Sequence, residues 1–409
     1  MMFLRAGICL LAAFAVFAHG AVEAWSAAVL EIGAAVLLVT WGVRVFIGRE
    51  MQCRWSPLLW PLLAFWCFGL LQCAAGWSVY PYLTKVELLR LAAYVLLFFL
   101  ALQAFRTRED CRGFAWFLLV LAFTVGVFGI AQHYTFNGKL YWVRELPYGG
   151  IPFGPYVNRN HFAGLIELLV PVGLAILVLR AERQDLLPLA ALFTLLPIGA
   201  LFLAASRGGI ASFFVQVLLL GLLIWARRGE RRHLAAGAVV LMLAGVLVAW
   251  LGVGRALERF SKFQALEVTE ARRVVMTRDS WHIFLDHPWA GTGLGTLPVV
   301  YPRYESFYDG KIVNHTHNDY VEALADTGVI GGLACLAFLF LLIRSALANL
   351  WSSPDSLDFA LHLGALVACA GILVHSLVDF NLHIPSNAFL FFLQAALSST
   401  AFPRIPPGE

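Results

Sequence analysis

The sequence predicts an all-α integral membrane protein with about twelve transmembrane helices. Three observations point there. Of the 409 residues, 60% are hydrophobic and only 13% are charged, against about 25% charged in a soluble domain. Mean hydropathy is +0.78. Apolar runs of about 20 residues, long enough to cross a bilayer core as a helix, recur from end to end. A β-barrel would need alternating segments of about 10 residues, and the chain has none. The net charge of +4 is of the size that membrane topology alone produces, so no nucleic-acid partner is expected.

In chain order the expected spans are 3–19, 27–47, 57–75, 84–105, 113–133, 160–179, 186–205, 208–226, 233–252, 328–348, 357–378 and 386–402. The first could pass for a signal peptide, but further spans follow and an uncleaved helix is expected. Connections after even-numbered spans carry Arg49 and Arg54, Arg106, Arg108 and Arg112, Arg180 and Arg183, the run Arg227, Arg228, Arg231 and Arg232, and Arg344. The other short connections are poorer in Lys and Arg. The positive-inside rule then puts both termini in the cytoplasm and two larger loops, 134–159 and 253–327, outside. The chain divides into N-terminal transmembrane helices (1–133) and a second region (134–409) that includes the long outer loop.

The seven cysteines show no CxxC or Cys/His spacing and suit small apolar fillers. No Walker loop or dinucleotide fingerprint occurs, which argues against ATP hydrolysis and Rossmann redox chemistry. Histidines gather on or near the outer side: His19, His133, His161, His282, His287, His315, His317, His375 and His383. Histidine is the usual proton-transfer group near neutral pH.

Polar residues at span ends are costly and therefore informative. Glu87 and Arg90 share one helix face, as an ion pair or with Arg90 as a phosphate contact. Asn158-Arg159-Asn160-His161 opens the sixth span, where free N–H groups and the helix dipole suit an anion; Asn158 or Asn160 could equally be the N-cap. Ser206-Arg207-Gly208-Gly209 is a tight outer turn whose arginine suits phosphate, or snorkels at the interface. The long loop carries Arg272-Arg273 and Arg278, then Gly291-Thr292-Gly293-Leu294-Gly295, a weak phosphate signal. It ends in His315-Thr316-His317-Asn318-Asp319. His-x-His can ligate zinc, but no third ligand stands nearby in sequence, so proton transfer is favoured and no metal is expected.

As a set, these pieces resemble the bacterial O-antigen ligase and O-antigen polymerase superfamily of inner-membrane glycosyltransferases. The resemblance is carried by Asn158 through Gly164, Ser206 through Gly209, Arg273 through Trp281, Asp286-His287-Pro288 with Gly291 through Gly295, and His317 through Tyr320 with Gly328 and Gly331. It covers roughly residues 150–350, and His375-Ser376 with Asp379-Phe380-Asn381 is similar to members of the group. The resemblance implies a GT-C-type fold and an undecaprenyl-diphosphate-linked glycan donor. It also implies lipid A-core or a growing polysaccharide as the acceptor. His317 matches the family's loop histidine, and Arg207 and Arg273 its phosphate-binding arginines, with Arg272 the alternative for the second.

The residue types fit that chemistry on their own. An acceptor hydroxyl attacks an anomeric carbon and expels a lipid diphosphate; arginines stabilise the leaving group without a cofactor, and histidine takes the proton. No glycosidase-like carboxylate pair stands out. The competing class is a transporter or flippase of lipid-linked glycans. It would favour charged or broken helices at the bilayer middle and two related halves, and neither is visible.

Overall fold

The computed structural model describes residues 1–48, 53–146, 149–228, 270–308 and 310–401. The first five helices are α1 (Met2–Phe17), α2 (Ala24–Gly48), α3 (Leu59–Ala74), α4 (Pro81–Ala104) and α5 (Arg108–Tyr134). They are followed by α6 (Arg159–Leu179), α7 (Leu187–Ala204), α8 (Arg207–Arg228) and α9 (Glu270–Asp286), then α10 (Asp319–Ser352), α11 (Ser356–His375) and α12 (Pro385–Ser399). Among the described residues eight helices (α2, α4 to α8, α10 and α11) are long and apolar enough to cross a membrane. The chain is a multi-pass, all-α membrane protein. The expected ninth span, 233–252, and the front of the expected loop, 253–269, lie outside the described residues.

Several expected boundaries move by up to five residues, as at α5, which begins at Arg108 and not at 113, and two differences need an explanation. The tenth span was expected at 328–348, but α10 begins at Asp319, where Asn318 caps it by accepting from the N–H groups of Tyr320 and Val321. Hydropathy sees only the apolar part beyond Gly328, where the helix kinks at φ 61°. The twelfth span is the 15-residue α12, about 22 Å long at 1.5 Å per residue. That is short of a hydrocarbon core of about 30 Å, and α12 is instead buried along nearly its whole length by other helices.

Beyond its polar first turn and Glu167, α6 is apolar on every side, and it is almost entirely buried, the pattern of a central helix. α5, α7, α8, α11 and α12 pack around it. Lipid tails are as apolar as leucine, so buried polar groups add specificity between such helices. Gln216 of α8 donates to the carbonyls of Glu167 (2.8 Å) and Val367 (3.2 Å), and Gln394 of α12 to that of Leu168 (2.6 Å).

Among the described residues, arginines of several of the arginine-rich connections meet at one end of the bundle. Arg5 pairs with Asp110, Arg108 with Asp355 and Asp358, and Arg112 with Glu182. Arg227 donates to the carbonyls of Leu350 and Ser353 there. The opposite end gathers the histidines and a folded cap where the sequence suggested a loop. One face of α9 buries Met276 and Ile283 against Leu297, Val300, Tyr301, Val313 and Ala325. Asp279, buried on the same face, accepts from Tyr301, from the Ser306 N–H and from the Ser306 hydroxyl.

The glycine run 291–295 belongs to this cap. Gly293 N–H donates to the Asp326 carbonyl (2.9 Å) and Gly295 N–H to the Asp326 carboxylate (2.7 Å), while Leu294 N–H donates to Gln72. These donors face protein, so the run is a brace for the α10 kink and not a phosphate cradle. Gly291 has φ +65°, and a Cβ there would lie 2.3 Å from the backbone of Asp326 and Thr327. Gly291→Ala is therefore expected to cost about 1–3 kcal/mol from the backbone conformation alone, read as a lowered melting temperature in detergent.

Candidate active site

α7 ends in a left-handed Ala205, and Ser206 Oγ accepts from Gly209 N–H at 3.2 Å to start α8. Added Cβ atoms would meet His375 at 2.9 Å from Gly208, and Ala163 at 2.5 Å from Gly209. Only glycines let this turn sit so close to α6 and α11. Arg207 is thereby fixed at the first turn of α8, where the helix dipole adds positive potential.

α9 lies opposite. Its Arg273, Val274, Thr277, Arg278 and Trp281 share a cleft of about 900 Å³ with Arg207, Gly208, His317, Asn318 and Leu377. The helix face decides between the paired arginines. Positions 272, 276, 279 and 283 repeat at helical spacing and are all buried. Arg272 accordingly turns inward to Glu305 (3.1 Å), with Phe307 beneath its guanidinium. Arg273 faces the cleft. The phase of Met276 and Ile283 was available in the sequence and could have separated the two.

His317 comes from the loop docked against the end of α11. Asp319 N–H donates to the Ser376 carbonyl (3.0 Å) and Asn318 Nδ2 to the Leu377 carbonyl (3.1 Å). His317 has φ +55°, an uncommon backbone conformation for a residue with a side chain, and these contacts hold it there. Its Nδ1 lies 3.2 Å from Asp379 Oδ1. A carboxylate at Nδ1 favours the tautomer with that proton, which leaves Nε2 as the proton acceptor.

Asp379 is the hub of the site. Its side chain is fully buried, with Arg273 Nη1 3.5 Å from Oδ2 and His161 Nε2 3.7 Å from Oδ1. Arg273 also donates to the Val378 carbonyl at 2.7 Å. Burial opposes its charge, but His161, His317 and the Arg273 guanidinium outweigh it and hold the carboxyl well below the usual carboxylate range. Phe380 sets the rings in place: His315 stacks on it at 4.4 Å, and His161 and His317 meet its edge at 4.6 and 4.8 Å.

The remaining expected residues lie elsewhere. Arg90 pairs with Glu87 at 2.5 Å beside a separate cavity of about 170 Å³, which His383 and Tyr94 also line. Arg159 and Asn160 are buried in the first turn of α6. Asn158 is the N-cap, accepting from Asn160 N–H. Asp319 accepts from His383 Nδ1 at 2.7 Å. His383 in turn reaches Glu322 at 3.2 Å, and Glu322 reaches His315 Nδ1 at 2.7 Å. Burial opposes charge on His383, but Glu322 and Asp319 outweigh it and push its pKa up to about 10. The third partner missing beside the His-x-His pair in sequence is thus supplied from α10 and from the 381–383 turn. The sequence alone assigns no role to Asp379, Glu322 and His383: Glu322 lies only seven residues beyond His315, but Asp379 and His383 reach the histidine loop only through the fold.

The chain has no match among curated proteins. Residues 191–336, which carry Arg207, Arg273 and His317, match the family model described as O-antigen ligase, linking this part of the chain to that superfamily.

Proposed function

We propose that the chain is a glycosyltransferase of the bacterial inner membrane, built on a GT-C-type bundle of about twelve spans. It moves a glycan from an undecaprenyl-diphosphate donor to an acceptor hydroxyl at the periplasmic face. The product makes it an O-antigen or exopolysaccharide polymerase or an O-antigen ligase, with lipid A-core or a growing polysaccharide as acceptor. The observation that carries this is the shared cleft of Arg207, Arg273 and His317, at the end of the bundle away from the arginine-rich connections.

In the reaction the acceptor oxygen forms the new bond to the anomeric carbon while the bond to the diphosphate oxygen breaks. The hydroxyl proton goes to His317 Nε2. The diphosphate departs with its electron pair, and the two guanidiniums stabilise the growing charge. Asp379 is a positioning residue: it orients the imidazole and balances the proton His317 receives. The test is incubation of purified protein with lipid-linked donor and candidate acceptors. A longer or transferred glycan with release of undecaprenyl diphosphate supports the proposal. Movement of intact donor across a vesicle membrane, with no new glycosidic bond, would replace it with a flippase.

The topology has its own check. In a variant without native cysteines, Trp289→Cys is expected to react with a membrane-impermeant maleimide in cells with a permeabilised outer membrane. Arg183→Cys is expected to react only after lysis. Both side chains are exposed, so the reverse pattern would overturn the assigned sidedness.

A further inference from the structure

We propose that His315, Glu322 and His383 form a zinc site that clamps the loop carrying His317 to the segment carrying Asp379. The three donor atoms lie within 4.8 Å of one another. Two imidazoles and one carboxylate make a donor set that zinc takes, with a fourth position for water. A single carboxylate is a poor match for magnesium or calcium, which want mostly oxygen ligands.

Each ligand is oriented from behind, as metal ligands require. His383 Nδ1 is held by Asp319 Oδ1 at 2.7 Å, which turns Nε2 toward Glu322 Oε1 at 3.2 Å. Asp319 is itself fixed by the Leu382 N–H at 3.2 Å. Glu322 Oε2 accepts from the Thr316 N–H (2.9 Å) and hydroxyl (3.2 Å), which leaves Oε1 facing both rings. His315 lies stacked on Phe380 with its Nδ1 2.7 Å from that oxygen. With zinc bonds of about 2.0–2.1 Å, tetrahedral donors sit about 3.3–3.4 Å apart. The His383–Glu322 separation already suits an ion, the His315–Glu322 pair opens by about 0.6–0.7 Å to meet it, and the two imidazole donors, within 4.8 Å of each other, turn onto it. Zinc displaces the protons that hold the cluster together without it. Glu322 is buried, whereas the side chains of His315 and His383 are 29% and 28% exposed, so the site has an entry path.

The ligands come from three segments: the loop two residues before His317, the first turn of α10, and the turn four residues after Asp379. None of the three ligand side chains lines the arginine cleft, so the clamp holds whether or not the transferase assignment does.

The test uses full-length protein in detergent, free of any affinity tag and stripped by chelator, titrated with Zn²⁺ against a chromogenic indicator and with Co²⁺ by visible absorption. One ion per chain is expected, with d–d bands of a low-coordinate cobalt centre and a melting temperature that rises with free zinc. Glu322→Gln is expected to abolish binding. Asp319→Asn, which removes only the support behind His383, is expected to weaken it about 10–100-fold. No binding by the unsubstituted chain, or binding unchanged in both variants, would overturn the site and leave the cluster a network of direct ion pairs.

Discussion

Transfer by the His317→Ala variant is expected to fall by roughly 10²–10⁴, the range for losing a positioned general base. Folding and membrane insertion are expected to survive, because the substitution removes a cleft-facing ring and not a core side chain. The left-handed backbone at this position is expected to be tolerated, since the Thr316 N–H bonded to Glu322 holds it on one side and the Asn318 cap with the Asp319–Ser376 hydrogen bond on the other. Asp379→Asn separates orientation from general base chemistry. It keeps shape and removes charge, so kcat is expected to drop with little change in KM, and Asp379→Glu to recover part of the loss. Asp379 also carries a pH signature. A carboxyl held below its unfolded value of about 3.9 stabilises the fold at neutral pH, and that contribution disappears only as pH falls through the lower folded value. In Asp379→Asn this part of the acid sensitivity is expected to vanish. A proportional loss of kcat and folded protein in every variant would make the cluster structural and refute the assignment.

What the sequence revealed was whatever repeats locally. Span positions follow from hydropathy, since each apolar run reports its own burial, and α6 was found to the residue at its C-terminal end. The arginine asymmetry was legible because charge sits in short connections, and the structure gathers Arg108, Arg112 and Arg227 at one end. The parts that stayed hidden depend on contacts between distant segments. Asp379 lies 62 residues beyond His317; its segment carried a family likeness, but nothing local ties its carboxylate to that histidine. The glycine run looked like an anion loop because sequence cannot tell that its N–H groups point at Asp326 and Gln72. Arg272 and Arg273 were inseparable until α9 had a core side. The long outer loop misled in a similar way. Its polarity suggested a loop, yet its described part has a small core of its own around Met276, Ile283 and Tyr301, with Asp279 satisfied by Ser306 and Tyr301 inside.

Losing either Arg207 or Arg273 is expected to slow transfer by roughly ten- to a hundred-fold or more, since a charge-assisted contact contributes about 1.5–3 kcal/mol. The diphosphate is the most charged part of the proposed donor, and the cleft offers such a group both guanidiniums and the N-terminal end of α8. Arg207→Lys is expected to recover only part of the rate, because an ammonium cannot reproduce the two parallel hydrogen bonds of a guanidinium. Arg273 carries a second duty through its contacts with Asp379 and the Val378 carbonyl. Its loss is therefore expected to disturb His317 as well, and the double change Arg273→Ala with Asp379→Asn to cost less than the sum of the two. Arg272→Ala is expected to act on stability, through Glu305 and Phe307, and to leave the donor affinity of the folded protein near that of the parent. With two arginines facing the leaving group, transfer is expected to proceed with no magnesium or manganese added. Activity that appears only when one of them is supplied, with donor binding unchanged in both arginine variants, would show that a metal carries the diphosphate and that these arginines do not.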